Sequence, residues 1–403
     1  MNILISAYSC NPYLGSEDGV GWNWILQYNQ HAKPGDHVYI ITKKFNEEAM
    51  KKGIVEFGLD NVTLWISEPP SYLDWFREKH SRFHHMYYSL WQRYAYKYVK
   101  KQNIKFDVVH HVTMTDWRFA GYFSKFKSAY TIFGPVGGGQ EIPEALKGYQ
   151  TKYLMEIIRT VANRTRKYLP GYRSQLKAFD AIYAVNNETK NYLQEIVDSS
   201  KIHIEPDCAI AESYKKITLQ KKDKPGRKFI FSGRYDLPRK GVMFLIEALR
   251  YLPKDFDYEI DFYGGPMDCA LKDIIQKTGL EDRLRLCGRL PFTKLKEVYS
   301  NYDALLFSSI RETSGNVLVE AMANGLPVVG IDTSFSSLLN KNGCGIFVNP
   351  NVPLEELKQS YANAMVNIFA DADYHRYSTN AYQFANSLTW EKKYETVYEA
   401  IHI

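Results

Sequence analysis

What the chain lacks narrows its chemistry first. No apolar run approaches the roughly 18–20 residues that cross a bilayer, so a spanning helix is not expected. The five cysteines (Cys10, Cys208, Cys269, Cys287, Cys344) lie far apart with no C-x-x-C, which argues against a zinc site and for reduced thiols in a cytosol. The opening MNILISAYSC has no basic flank and too short an apolar run for an export signal, so a cytoplasmic protein is expected. No G-x-G-x-x-G follows the first apolar run, and the second ends in Thr42-Lys43-Lys44 where a dinucleotide site wants an acid, so NAD binding is not expected. Neither short repeats nor low-complexity tracts occur. With 45% hydrophobic and 24% charged residues, the composition excludes a mostly disordered chain.

What is present is long, basic at one end and aromatic. Four hundred and three residues suit two or three domains rather than one core. Residues 1–205 hold 26 Lys+Arg against 20 Asp+Glu and the remainder 25 of each, so the whole net charge of +6 sits in the first half. A local basic field suggests an anionic partner there. Short apolar runs at 2–8, 37–42, 62–67, 107–113, 129–134, 181–185 and 201–205 alternate with helical periodicity near 20–32, 46–58, 72–102, 150–168 and 188–197. After a polar, basic stretch at 215–228, alternation restarts with strands at 228–234, 258–264, 283–289, 304–309, 327–332 and 345–349 and helices between them. The pattern predicts two doubly wound α/β domains in tandem, with ligands at the strand C-termini in a shared cleft.

In FSGRYDLPRKG an apolar strand ends at Gly233, Arg234 follows at its tip, and Lys240 precedes a glycine and a helix. Two cations there can face a diphosphate together, a planar fork and a compact charge; a solvated surface loop is the plainer reading. In SSIRETSGNVLVEAMANG a strand feeds a loop and then a helix whose first amides, Gly315 to Leu318, form a ready anion site. Glu312 precedes that helix and Glu320 lies inside it among apolar neighbours, where a carboxylate wants polar partners such as ribose hydroxyls.

These segments, with the intervening FYGG and LCGRL, resemble the nucleotide-sugar domain of glycosyltransferase family 4 (group 1 glycosyltransferases), most strongly over 228–350. The resemblance implies the GT-B fold, an α/β architecture of two Rossmann-like domains facing a central cleft. It places an acceptor domain over 1–210 and a nucleotide-sugar domain over 211–387, with a closing helix over about 388–403 packed back on the first. It implies a retaining, metal-independent enzyme moving sugar from a UDP- or GDP-sugar to a saccharide or lipid-linked acceptor in bacterial cell-surface polysaccharide synthesis. Other readings of the same frame are a nucleotide-sugar 2-epimerase and a non-catalytic saccharide- or membrane-binding relative. Arg234 and Lys240 would hold the diphosphate and Glu312 would face the transferred sugar. Gly233, Ser314, Gly315, Asn316, Val317 and Leu318 would touch donor sugar and phosphates. Glu320 would bind the ribose, and the backbone near Arg289 and Leu290 would edge the base. Gly15 and Ser16, in the loop after the first strand, match the family's glycine-rich loop, with Glu17 a weaker candidate.

On the acceptor side, FGPVGGGQEIP holds three consecutive glycines, which suggests close backbone approach to a ligand at Gly137 and Gly138. Gly134 stands where many family members carry a histidine. His110 and His111 end the preceding strand and either flank the acceptor cleft or sit there with one packed and one solvated. No cofactor is implied. The D-x-D pairs Asp255/Asp257 and Asp371/Asp373 read as surface acids, since neither ends a strand as a metal-binding pair would. Residues 75–105 and 147–177 each carry eight Lys+Arg against one acid, the first interleaved with aromatics. Such segments suit an anionic membrane surface, hence a peripheral place on the inner face of the plasma membrane, or else are aromatic packing beneath a charged surface. No nucleic-acid motif accompanies them.

Overall fold

The structure is a computed structural model, and it describes residues 1–73, 84–151, 153–210, 217–219, 225–267, 269–399 and 401. Parts of the basic stretches 75–105 and 147–177 and of the linker at 215–228 therefore lie outside the described residues. The chain divides into two compact units. One comprises Met1–Gly139, Thr160–Asp207 and Trp390–Ile403, the other Gln140–Arg159 and Cys208–Thr389.

The first unit is a seven-stranded parallel sheet in the order β3-β2-β1-β4-β5-β6-β7. Its strands are β1 Asn2–Ala7, β2 His37–Thr42, β3 Val62–Ile66, β4 Val108–Thr113, β5 Tyr130–Val136, β6 Ala181–Ala184 and β7 Ile202–Ile204. Central strands such as NILISA and AIYA are continuous apolar runs, as both faces of a parallel sheet demand. Helix His84–Lys101 turns Tyr87, Tyr88 and Trp91 into the core with Tyr8 and Phe123. Tyr87, Tyr88 and Trp91 are therefore packing, while Tyr98 stays 37% exposed and Trp75, Phe76 and Phe83 lie outside the described residues. Helix Trp390–Glu399 completes the same unit: the Trp390 ring meets Trp24 edge-on, and Lys393 is paired with Glu205.

The second unit is a six-stranded parallel sheet in the order β10-β9-β8-β11-β12-β13. These strands are β8 Lys228–Ser232, β9 Glu259–Tyr263, β10 Leu284–Gly288, β11 Ala304–Phe307, β12 Val328–Ile331 and β13 Gly345–Val348. One apolar layer, with Phe229, Phe244, Phe262 and Tyr361, covers one side. A second, with Ile230, Tyr299, Leu318 and Met322, covers the other. In each unit the strand order reverses beside the first strand, between β1 and β4 and between β8 and β11. In open α/β sheets such a reversal point is where ligands ordinarily bind.

Candidate active site

In the second unit the two loops at the reversal point are built against each other. Gly241 ends the β8 loop with φ +68°, and a Cβ there would stand 1.9 Å from the Ser308 carbonyl oxygen. The Ser308 hydroxyl donates to the Lys240 carbonyl at 3.1 Å, and the Ile310 amide to the Arg239 carbonyl at 3.0 Å. This clamp brings Lys240 and Glu312, 72 residues apart, into a charge-assisted hydrogen bond. Both side chains are mostly shielded, 12% and 15% exposed. Arg239 adds a second cation at 3.5 Å from the other carboxylate oxygen. Burial pushes the Glu312 carboxyl up, and the two cations more than offset it, leaving it below the usual carboxylate range. Glu312 is held as an anion.

Gly233 leaves β8 at φ +147°, and a Cβ there would lie 3.7 Å from the Lys240 side chain. At Gly315, φ +96°, it would lie 3.5 Å from that of Glu312. Gly233, Lys240, Glu312 and Gly315 thus share one neighbourhood, with helix Asn316–Ala323 starting at its edge. Ser314 is buried beside them, Asn316 and Val317 are partly open, and Leu318 is core. Arg234 behaves differently. Its guanidinium forks onto Asp236 at 2.7 and 2.5 Å and is 48% exposed. The Arg234 hydrogen bond and charge, joined by the Arg289 charge, hold the Asp236 carboxyl below its ordinary value. Arg289 is exposed and Leu290 half-buried after β10.

Glu320 is joined to the end of β8 by a residue the sequence did not flag. The Tyr299 hydroxyl lies 3.3 Å from the Glu320 carboxylate and 3.1 Å from the Ser232 hydroxyl, immediately before Gly233. Burial pushes the Glu320 carboxyl up to about 7, with the Tyr299 hydroxyl opposing. In sequence Tyr299 reads as another core aromatic, and only its hydroxyl's placement gives it this role. Arg239 and Asp236 were equally unremarked, although both stand in the same motif as Arg234 and Lys240.

In the first unit the outcome is mixed. Helix Ser16–Gln30 begins after Gly15, with Ser16 exposed at φ +57°. Glu17 turns inward and accepts from the Thr115 amide at 2.6 Å and its hydroxyl at 3.2 Å. Burial raises that carboxyl against these bonds. His110 and His111 correct the acceptor expectation, because both are fully buried inside β4. His110 Nε2 donates to the Gly134 carbonyl at 2.7 Å, and its Nδ1 lies 3.2 Å from the Tyr28 hydroxyl. His111 lies 2.8 Å from the Tyr88 hydroxyl and 3.0 Å from the Ser6 hydroxyl. Burial lowers the two to about 4 and about 3, so they are neutral core imidazoles rather than ligand contacts.

The glycine run is likewise occupied by the protein's own chain. Gly137 pairs with the backbone of Thr115 and Trp117. Gly138, at φ +104°, accepts from Asn163. A Cβ on Gly139 would stand 2.5 Å from Thr189. The close approach falls on Gly139, against the Thr189 backbone, whereas Gly138 meets the Asp116 and Trp117 side chains at an ordinary 3.5 Å. Asp255 and Asp257 are exposed ahead of β9, and Asp373 pairs with Arg376, while the Asp371 side chain lies outside the described residues.

Residues 214–384 match the family model described as glycosyl transferases group 1, a stretch that contains the whole clamp. A relative from Streptococcus pneumoniae, the GtfA subunit of a UDP-N-acetylglucosamine–peptide N-acetylglucosaminyltransferase, is 29% identical over 170 residues, 40% of this chain and 33% of its own. The phosphatidyl-myo-inositol mannosyltransferase of Mycolicibacterium smegmatis is 29% identical over 191 residues, 47% of this chain and 48% of its own. The match thus spans about a third to a half of these curated relatives. Among solved structures, WaaG, a glycosyltransferase involved in lipopolysaccharide biosynthesis, superposes with a TM-score of 0.64 at 14% identity, covering 99% of both chains. HepE from Anabaena in complex with UDP gives 0.64 at 15% identity, covering 100% of this chain and 99% of that one. At such identities the likeness shows the fold, which is GT-B.

Proposed function

We propose that this protein is a metal-independent, retaining glycosyltransferase that moves a sugar from a UDP- or GDP-sugar to a saccharide or lipid-linked saccharide acceptor of cell-surface polysaccharide. The observation that carries the reading is the shielded Lys240–Glu312 pair at the reversal point of the second sheet, beside a helix N-terminus. The match to the group 1 family and the relatives' sugar-transfer activities support it.

In this reading the donor diphosphate lies between Lys240, Arg234 and the first amides of helix Asn316–Ala323. The ribose hydroxyls reach Glu320. Breaking the bond between the anomeric carbon and the diphosphate oxygen sends an electron pair onto phosphate. Fixed cations and amide dipoles stabilise that charge without reorganising, the part a divalent ion plays elsewhere. Arg234 is released from Asp236 to the phosphate, exchanging one bidentate oxyanion partner for another. Glu312, kept ionised and still beside Arg239 when Lys240 turns to phosphate, positions the sugar and offsets positive charge at the anomeric carbon. The acceptor oxygen bonds to the face the nucleotide leaves, and its proton passes to the departing phosphate oxygen, so configuration is retained.

The test is a panel of UDP- and GDP-sugars, scored for stabilisation, hydrolysis and transfer in the presence of EDTA. Lys240→Ala and Glu312→Gln are each expected to cut turnover at least 100-fold, about 2.7 kcal/mol of transition-state stabilisation, with the fold intact. Near-normal turnover in both variants refutes the assignment. Conversion of donor sugar without any acceptor would mark an epimerase, and binding without turnover a non-catalytic relative.

A further inference from the structure

The loop that carries Glu312 is tied down from a second direction. Glu312 itself meets Lys240 and Arg239 of the β8 loop. Its two neighbours in sequence take other partners. Arg311 pairs with Glu156 at 2.5 Å, and the Thr313 hydroxyl accepts from the Gln140 side-chain amide at 2.7 Å. Both partners come from Gln140–Arg159, the early stretch of chain that belongs to the second unit. They are also tied to each other. Arg159 donates to the Gln140 carbonyl at 2.7 Å and lies 3.8 Å from the Glu156 carboxylate. The contacts therefore close a ring: Arg311 to Glu156, Glu156 to Arg159, Arg159 to Gln140, Gln140 to Thr313, and back to Arg311 through the backbone of Glu312. The ring is shielded, with Gln140 5% exposed and the side chains of Arg311, Glu156 and Arg159 each below 20%.

One further bond carries the ring into the site. The Thr313 amide donates to the Glu312 carboxylate, so Gln140 grips the residue whose backbone grips Glu312. An ordinary surface loop would leave Arg311 and Thr313 to water. Here a buried carboxamide and a shielded carboxylate, 173 and 155 residues away, are aimed at the two residues that flank a single anion. A reacting group must be held to within about 0.5 Å of its productive place, and a misplacement of about 1 Å can cost about 100-fold in rate. We propose that Gln140 and Glu156 are positioning residues for Glu312: through Thr313 and Arg311 they fix the loop 311–315 so that the carboxylate meets the transferred sugar in register, and neither touches substrate. What Glu312 does rests on the sugar-transfer reading; how it is held does not.

The test uses the full-length protein and, for turnover, the donor selected by the UDP- and GDP-sugar panel. Thr313→Val removes the hydroxyl at nearly constant shape, and Gln140→Leu removes the amide that reaches it. Each is expected to lower kcat about tenfold or more while the donor KM stays within about threefold, because Lys240, Arg234 and the helix amides are left in place. Thr313→Ser keeps the hydroxyl and should hold kcat within about threefold of the wild type. With Glu312→Gln already present, Gln140→Leu should cost less than about twofold more, since residues that act through one group are not additive. Glu156→Gln should repeat the pattern. Near-normal kcat in both Gln140→Leu and Glu156→Gln overturns the proposal, as does a loss confined to KM or an undiminished loss on top of Glu312→Gln. A sugar-free arm separates the positioning from the activity. In Gln140→Leu, amide hydrogen exchange over 311–315 should quicken about tenfold or more while β8 and β11 keep wild-type protection. Unchanged exchange over 311–315 overturns the proposal, and so does equal loss of protection throughout the sheet, which would mark a merely structural role. Local quickening in a protein that turns over no nucleotide sugar upholds the latch and refutes sugar transfer.

Discussion

Glu320 offers a quantitative test of the site's electrostatics. Its carboxyl is pushed by burial from an ordinary 4.5 to about 7, with the Tyr299 hydroxyl opposing. Below pH 4.5 it is protonated in folded and unfolded chains alike, and burial costs nothing. Between about pH 4.5 and 7 the unfolded chain releases its proton while the folded chain keeps it. Stability therefore falls as pH rises through that window, and the loss is complete above it. About 2.5 units at ~1.4 kcal/mol each sets a ceiling of ~3.5 kcal/mol. Glu320→Gln mimics the protonated form and keeps an oxygen for Tyr299. It should match the wild type in denaturant unfolding at pH 4.5 and exceed it by ~2–3 kcal/mol at pH 8. A difference that is the same at both pH values refutes the reasoning. A nucleotide whose ribose hydroxyls donate to this carboxylate should also draw its proton off near pH 7. That release is measurable by calorimetry in two buffers of unlike ionisation enthalpy.

Two further substitutions probe the scaffold. Gly241→Ala places a methyl 1.9 Å from the Ser308 carbonyl in a left-handed conformation, so stability should fall by at least ~2 kcal/mol in denaturant unfolding, with the Lys240–Glu312 pair disrupted. A loss below ~0.5 kcal/mol would show that the two loops are not clamped. Lys393→Met removes the buried partner of Glu205 and of the Pro206 carbonyl, and should cost ~3–5 kcal/mol by chemical unfolding. Adding Glu205→Leu should restore most of it, because the penalty lies in the stranded carboxylate.

The cluster at the reversal point of the second sheet was legible because each of its residues is a local event in the chain. Gly233 and Arg234 follow a strand directly, Lys240 precedes a helix, and Glu312 to Glu320 run from a loop into the next helix. What the chain could not announce depends on distant partners. His110 and His111 read as polar groups closing a strand. Their fate was decided by Tyr28 and Tyr88, supplied by two other helices. The glycine run at 137–139 signalled a close approach, but that it is made at Gly139 against Thr189 is a tertiary fact. No change of composition marks Gln140–Arg159 as part of the second unit. Amphipathy over 153–165 is visible in the letters, but that Leu154 and Ile158 face solvent while Glu156 pairs with Arg311, far along the chain, is a tertiary fact.

The path of the chain has a consequence for biosynthesis. It passes from one unit to the other four times, and the first unit receives its last piece, Trp390–Ile403, only after the second has been traversed. On the ribosome, where domains ordinarily mature from the N-terminus onward, the first sheet would emerge early yet lack the Trp390 ring and the Lys393 ammonium until translation is nearly done. A nascent chain halted before Trp390 should therefore hold a finished later-made half beside an unfinished earlier-made one.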